Sequence, residues 1–131
     1  MNTADRSMAF QAVNDGYDVW CANLRGNKYS RNHERLCPDE DAKQFFDYSF
    51  AEMAIYDVTA MIDYVKSVTG APKVAYIGHS MGTTIMFYLS VKNPEWVDRS
   101  VSVFVALAPI TLPVNSRCPL IKSLAPQIGL F

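Results

Sequence analysis

The chain has 131 residues, half of them hydrophobic, with twelve basic against thirteen acidic side chains. That length suits one compact domain, and the near-neutral charge without like-charge runs argues against a nucleic-acid partner. No apolar stretch reaches the ~20 residues that span a bilayer, and Met1 to Arg6 lacks the apolar core of a signal peptide.

In chain order, Arg6 to Val13 has a helical pattern that stops at Asp15-Gly16. Tyr17 to Leu24 reads as a strand, with Tyr17, Val19 and Trp20 supplying β-branched and aromatic side chains. Arg25 to Lys43 is polar, contains Gly26 and Pro38, and forms a long loop of the kind that is often functional. Ser49 and Glu52 have the spacing of a capping box. Behind them Phe50, Met53, Ala54, Val58, Met61, Ile62 and Val65 trace the apolar stripe of a helix ending near Gly70.

Lys73 to Ile77 is a short apolar run that reads as a buried strand, opened by Gly70 and Pro72. Directly after it comes Gly78-His79-Ser80-Met81-Gly82, a G-x-S-x-G. Met81, Ile85, Tyr88 and Leu89 then recur at helical spacing until Asn93-Pro94. Strand, sharp turn, helix is the context in which such a serine hydroxyl stands out at the carboxyl end of a parallel sheet. A Cβ at Gly78 or Gly82 is expected to collide with the adjoining strand and helix. The competing reading is a Gly-Ser turn with an inert serine.

Val101 to Leu107 is another apolar run, typical of a parallel strand covered on both faces, and Ala108-Pro109 closes it. The tail from Pro113 to Phe131 mixes prolines with Leu and Ile. The whole reads as an α/β fold, a doubly wound, mostly parallel sheet of about three strands with flanking helices. Residues 1–112 are expected to be the central part of such a domain and 113–131 the start of a cap or lid. The small sheet and abrupt ends give the look of a segment of something larger. Cys21, Cys37 and Cys118 are odd in number and lack metal-ligand spacing, so buried free thiols are expected.

Several blocks resemble the acid lipases, the gastric and lysosomal lipase group of the α/β-hydrolase superfamily. They are Gly16-Tyr17-Asp18-Val19-Trp20, Asn23-Leu24-Arg25-Gly26-Asn27, Tyr29 to His33, Pro38-Asp39, Phe45 to Glu52, Tyr56-Asp57, Gly78 to Thr84 and Ala106 to Pro109. The family commonly has Gln where this chain has Met81. The resemblance implies cleavage of carboxylic esters of neutral lipids, of the triacylglycerol or sterol ester class, with a lipid interface as a compatible partner. It implies no metal or organic cofactor, and relatives that are secreted or lysosomal.

In that reading Ser80 is the nucleophile, the Met81 N–H is one oxyanion donor, and Gly78, His79 and Gly82 build the turn. Family members follow the order Ser, Asp or Glu, His. After Ser80 this chain has no histidine, and its only acids there are Glu95 and Asp98, placed for the opposite edge of the sheet. The family's second oxyanion donor, from a His-Gly loop, belongs before residue 1. His79 reads as a supporting or packing residue. His33 reads as part of a loop fixed by hydrogen bonds with Arg25, Asn27 and Arg31, with a surrogate base as the rarer alternative. Little or no hydrolase activity is therefore expected of the isolated chain. Two other functions compete: a non-catalytic lipid- or partner-binding relative, and an acyltransferase or peptidase on the same fold.

Overall fold

A computed structural model describes residues 3–111. After a 3₁₀ turn at Ala4–Arg6, helix α1 (Met8–Asn14) ends on Gly16, whose φ of 90° is the left-handed stop expected there. Residues 17–41 form no helix or strand, and a single helical turn, α2 (Ala42–Phe45), follows.

The central helical rod begins at the capping box. The Ser49 hydroxyl accepts from the Ala51 N–H at 3.1 Å, and Glu52 accepts from the Ser49 N–H at 2.7 Å. These bonds satisfy donors that a helix start otherwise leaves open. The rod then runs as α3 (Phe50–Glu52), a π-helical turn (Met53–Val58) and α4 (Thr59–Thr69), ending on left-handed Gly70 with φ 71°.

Strand β1 (Val74–His79) leads into helix α5 (Met81–Lys92), followed by α6 (Pro94–Ser100) and strand β2 (Val101–Leu107). β1 and β2 pair in parallel, with Tyr76 opposite Phe104 and His79 opposite Leu107. Asn93 ends α5 and starts α6 in one residue: its side chain accepts from the Trp96 N–H at 3.3 Å, and Pro94 occupies the first helical position.

The core lies where α5 is enclosed. Ile85, Met86 and Leu89 are fully buried against Ala54, Val58 and Ile62 of the rod and Trp96 of α6. One face of the sheet closes the cluster through Val74, Tyr76, Val101 and Phe104, with the Tyr76 and Phe104 rings 5.7 Å apart. The other face carries Ile77, Val103 and Val105, all exposed among the described residues.

Two expectations are corrected. The sheet has two strands among the described residues, not three, because Tyr17 to Leu24 pairs with neither β1 nor β2. Strand propensity there is real, but a strand exists through its ladder, and Tyr17 stays 70% exposed. The segment is held from one side by the T-shaped contact of Trp20 with Tyr64 and by Arg25. Cys21 and Cys37 are free, as expected, but Cys21 is exposed and Cys37 only half-buried. Cys118 and the expected cap segment 113–131 lie outside the described residues.

Candidate active site

The serine turn is built by backbone geometry. Ser80 is the one residue between β1 and α5, with φ 53° and ψ −117°, a conformation that a non-glycine residue holds only under constraint. Three bonds supply it. The Ser80 N–H donates to the Leu107 carbonyl at 3.0 Å, tying the turn to the end of β2. The Ser80 carbonyl accepts from the Thr83 N–H at 2.9 Å and from the Thr83 hydroxyl at 2.6 Å.

The two glycines have different reasons. A Cβ at Gly78 would sit 2.8 Å from the Gly82 carbonyl carbon and oxygen and 3.0 Å from the Thr83 nitrogen, so the expected collision is present there. A Cβ at Gly82 would meet only the Tyr76 hydroxyl, at 3.7 Å, an ordinary contact. The collision expected at Gly82 is therefore absent. That same hydroxyl donates to the Gly82 carbonyl at 3.1 Å, and burial pushes the Tyr76 phenol pKa upward.

Met81 opens α5 and is 48% exposed. Its N–H belongs to the first turn of the helix, where donors have no intrahelical acceptor. A cleft of about 350 Å³ lies between the side of Met81, Met53, Tyr48 and the 22–27 segment. The left-handed Gly26 lines it, and glycine is required there because a Cβ would collide with the Tyr48 hydroxyl. That hydroxyl donates to the Arg25 carbonyl at 3.1 Å.

Arg25 is the anchor of this wall. Its N–H, Nε and Nη2 all donate to the Asp57 carboxylate, at 2.9, 2.8 and 2.6 Å, and Tyr48 and Tyr56 flank the guanidinium. The hydrogen bond to Asp57 raises the Arg25 pKa against the opposing effect of burial.

The histidines separate clearly. His33 Nδ1 accepts from the Arg35 and Leu36 N–H groups at 3.1 and 3.0 Å, and its ring stands edge-on to Phe45. Its Nδ1 lone pair is thus engaged in the loop, as the loop-fixing reading expects. Arg31 pairs with Asp39 at 2.8 Å, and the Asn27 side chain bonds Asn23 and the Tyr29 N–H. His79 is exposed at the end of β1, paired with Leu107 through the sheet, and its side chain has no hydrogen-bond or aromatic partner among the described residues. Glu95 and Asp98 lie on α6, which feeds the amino-terminal end of β2, while Ser80 follows the carboxyl end of β1. In a parallel sheet those ends are opposite edges.

Among the described residues no cluster of three His, Cys, Asp or Glu could hold a metal ion, and no helix is long and apolar enough to cross a membrane. Thr83 and Thr84 are the site residues that sequence reasoning passed over: both hydroxyls bond Ile110, beyond the end of β2. Only the fold brings those positions together.

The strand–serine–helix turn, bonded sideways to a parallel neighbour, invites comparison with known proteins. The profile of the alpha/beta hydrolase fold family matches residues 5–126. The chain belongs to that family. It is 48% identical over 103 residues to Lipase 1 of Drosophila melanogaster, covering 79% of this chain and 23% of that protein. It is 41% identical over 130 residues to the gastric triacylglycerol lipase of Mus musculus, covering 98% of this chain and 32% of that lipase. Against the lysosomal acid lipase/cholesteryl ester hydrolase of Homo sapiens, identity is 39% over 121 residues, 92% of this chain and 30% of the relative. The resemblance to the gastric and lysosomal lipase group thus holds over most of the chain, while the chain spans about a third or less of the relatives' lengths.

Proposed function

We propose that this alpha/beta hydrolase segment carries the nucleophile of a lipase that cleaves carboxylic esters of neutral lipids, with Ser80 as that nucleophile. The observation that carries the reading is the Ser80 backbone, constrained at φ 53° between β1 and α5, with Gly78 packed on Gly82. The relatives' names, gastric triacylglycerol lipase and lysosomal acid lipase/cholesteryl ester hydrolase, support triacylglycerols or sterol esters as the substrate class. The same names support a secreted or lysosomal place of action and work at a lipid interface.

Ser80 Oγ forms a bond to the ester carbonyl carbon while its proton passes to a general base. The carbonyl oxygen becomes an oxyanion, for which the Met81 N–H is one donor. Collapse breaks the bond to the alcohol, which leaves with the proton, and water then releases the acyl group from Ser80. One missing oxyanion donor costs roughly 10²–10³ in rate. Gly78 shapes the turn through its close packing on Gly82, and His79 and Gly82 flank the serine without a role at the reacting atoms.

No histidine follows Ser80 in these 131 residues, and His33 is held by its own loop. A serine without its base retains only residual catalysis, so the 131-residue chain alone is expected to be nearly inactive. In the native protein expressed from its full-length message, Ser80→Ala should lower kcat on a short-chain p-nitrophenyl ester by at least about 10⁴-fold. Full activity in that variant would overturn the assignment. Robust turnover by the 131-residue chain alone, lost in Ser80→Ala, would overturn the inactivity reading.

A further inference from the structure

Both polar backbone groups of Ile110 are captured by consecutive threonines of α5. The Ile110 N–H donates to Thr83 Oγ1 at 3.0 Å, and Thr84 Oγ1 donates to the Ile110 carbonyl at 2.7 Å. Thr83 Oγ1 in turn donates to the Ser80 carbonyl at 2.6 Å. A chain of bonds therefore runs from Ile110 through the Thr83 hydroxyl into the backbone of Ser80. Each bond polarises the next in such a chain. Thr83 is fully buried, so water does not compete for its hydroxyl.

The loop that is held needs holding. Ala108 has φ 47°, a left-handed conformation that an alanine does not keep by itself. It also precedes Pro109, which favours extended backbone at the residue before it. The loop starts beside Ser80: Leu107, its last strand neighbour, accepts the Ser80 N–H at 3.0 Å. Ser80 and Ala108, the two non-glycine residues with positive φ among the described residues, are thus one hydrogen bond and one peptide apart.

The geometry points to Thr83 and Thr84 as positioning residues that clip the Ala108–Ile110 loop to the serine turn and thereby set the working orientation of Ser80. This pair couples the two strained residues at the carboxyl edge of the sheet. The role in catalysis rests on Ser80 being the nucleophile; the clip itself does not.

The test uses Thr84→Val, which removes the hydroxyl and keeps the shape, beside Thr84→Ser, which restores a hydroxyl, in the native protein expressed from its full-length message. Amide hydrogen exchange reads the clip without reference to activity. Thr84→Val should speed exchange at the Ala108 and Ile110 amides several-fold, and lower kcat by about tenfold with KM within twofold. Thr84→Ser should return both towards the parent. If Thr84→Val does not fold, Thr84→Ala carries the same comparison. Unchanged exchange would show that Thr84 does not hold the loop, and would overturn the proposed pair. Faster exchange with unchanged kcat would show a held loop that has no part in positioning, and would equally sink the proposal. Activity surviving in Ser80→Ala, with the exchange result intact, would locate the failure in the nucleophile assignment instead.

Discussion

At the residue scale the serine turn rests on unequal glycines. A Cβ at Gly78 would meet backbone at 2.8 Å, which cannot move aside cheaply, whereas one at Gly82 would meet only the hydroxyl of one tyrosine, at 3.7 Å. Gly78→Ala should therefore destabilise the protein by about 1–3 kcal/mol, the usual cost of overpacking. Gly82→Ala should be neutral or slightly stabilising, since alanine is the better helix residue. Thermal denaturation of the two variants side by side checks the contrast. The five-residue motif was legible in the sequence, and so was its strand–turn–helix setting. The asymmetry was not, because two identical letters conceal whether backbone or a side-chain tip lies opposite. Nor were Thr83 and Thr84 legible as partners of Ile110, since 26 and 27 residues separate them and only the β1–β2 register brings them close.

At the element scale, the rod from Phe50 to Thr69 carries two devices that anchor its start and its outer wall. In the first, hydrogen bonds from Ser49 hold the Glu52 carboxyl pKa below its usual value. A depressed folded-state pKa gives stability that is present above the unfolded value, about 4.3 for glutamate, and is lost as pH falls through the folded one. The melting-temperature difference between the parent and Glu52→Ala should thus persist at pH 5 and 7 and shrink below about pH 4. In the second, three donors of Arg25 converge on Asp57, whose side chain is 9% exposed. Asp57→Ala leaves the partly exposed Arg25 without its partner. It should cost about 1–2 kcal/mol in urea denaturation, less than a fully buried pair because water reaches the guanidinium, with the 22–27 wall loosening first.

The capping box and the stop at Gly70 could be read directly from residue types, because both are local. The π-helical turn at Met53–Val58 left no such mark, since the same apolar stripe serves either winding. Helix α6 was hidden by Asn93-Pro94, which reads as an end and here also serves as a beginning. Tyr17 to Leu24 had the composition of a strand, but composition does not supply the neighbouring ladder.

On the scale of the whole molecule, the sheet is covered on one side only among the described residues. α5 fills one face, while Ile77, Val103 and Val105 are 49%, 51% and 37% exposed on the other. Parallel sheets are ordinarily covered on both faces, so this 131-residue chain by itself should bind a hydrophobic dye such as anilinonaphthalene sulfonate. The double variant Ile77→Ser, Val103→Ser should bind less of it. Equal dye fluorescence from parent and variant would mean that this face is covered in solution. The same one-sidedness explains why the family was easy to read and the strand count was not. Family blocks are local in sequence, whereas a sheet edge is completed by whatever strand lies beside it.

The bond from the Ser80 N–H to the Leu107 carbonyl also sets an order of events. Twenty-seven residues separate the two, and they include all of α5 and α6. While the chain is folding, closing so long a loop costs entropy before the contact gives anything back. The other tie across the sheet, from Ile110 through Thr83, also depends on residues beyond β2, so the Ser80 conformation should be adopted only after β2 has docked. Ser80→Gly, which relieves the positive φ, should then slow unfolding and leave the folding rate nearly unchanged. The backbone geometry of Ser80 would be among the last features of the molecule to form and among the first to be lost.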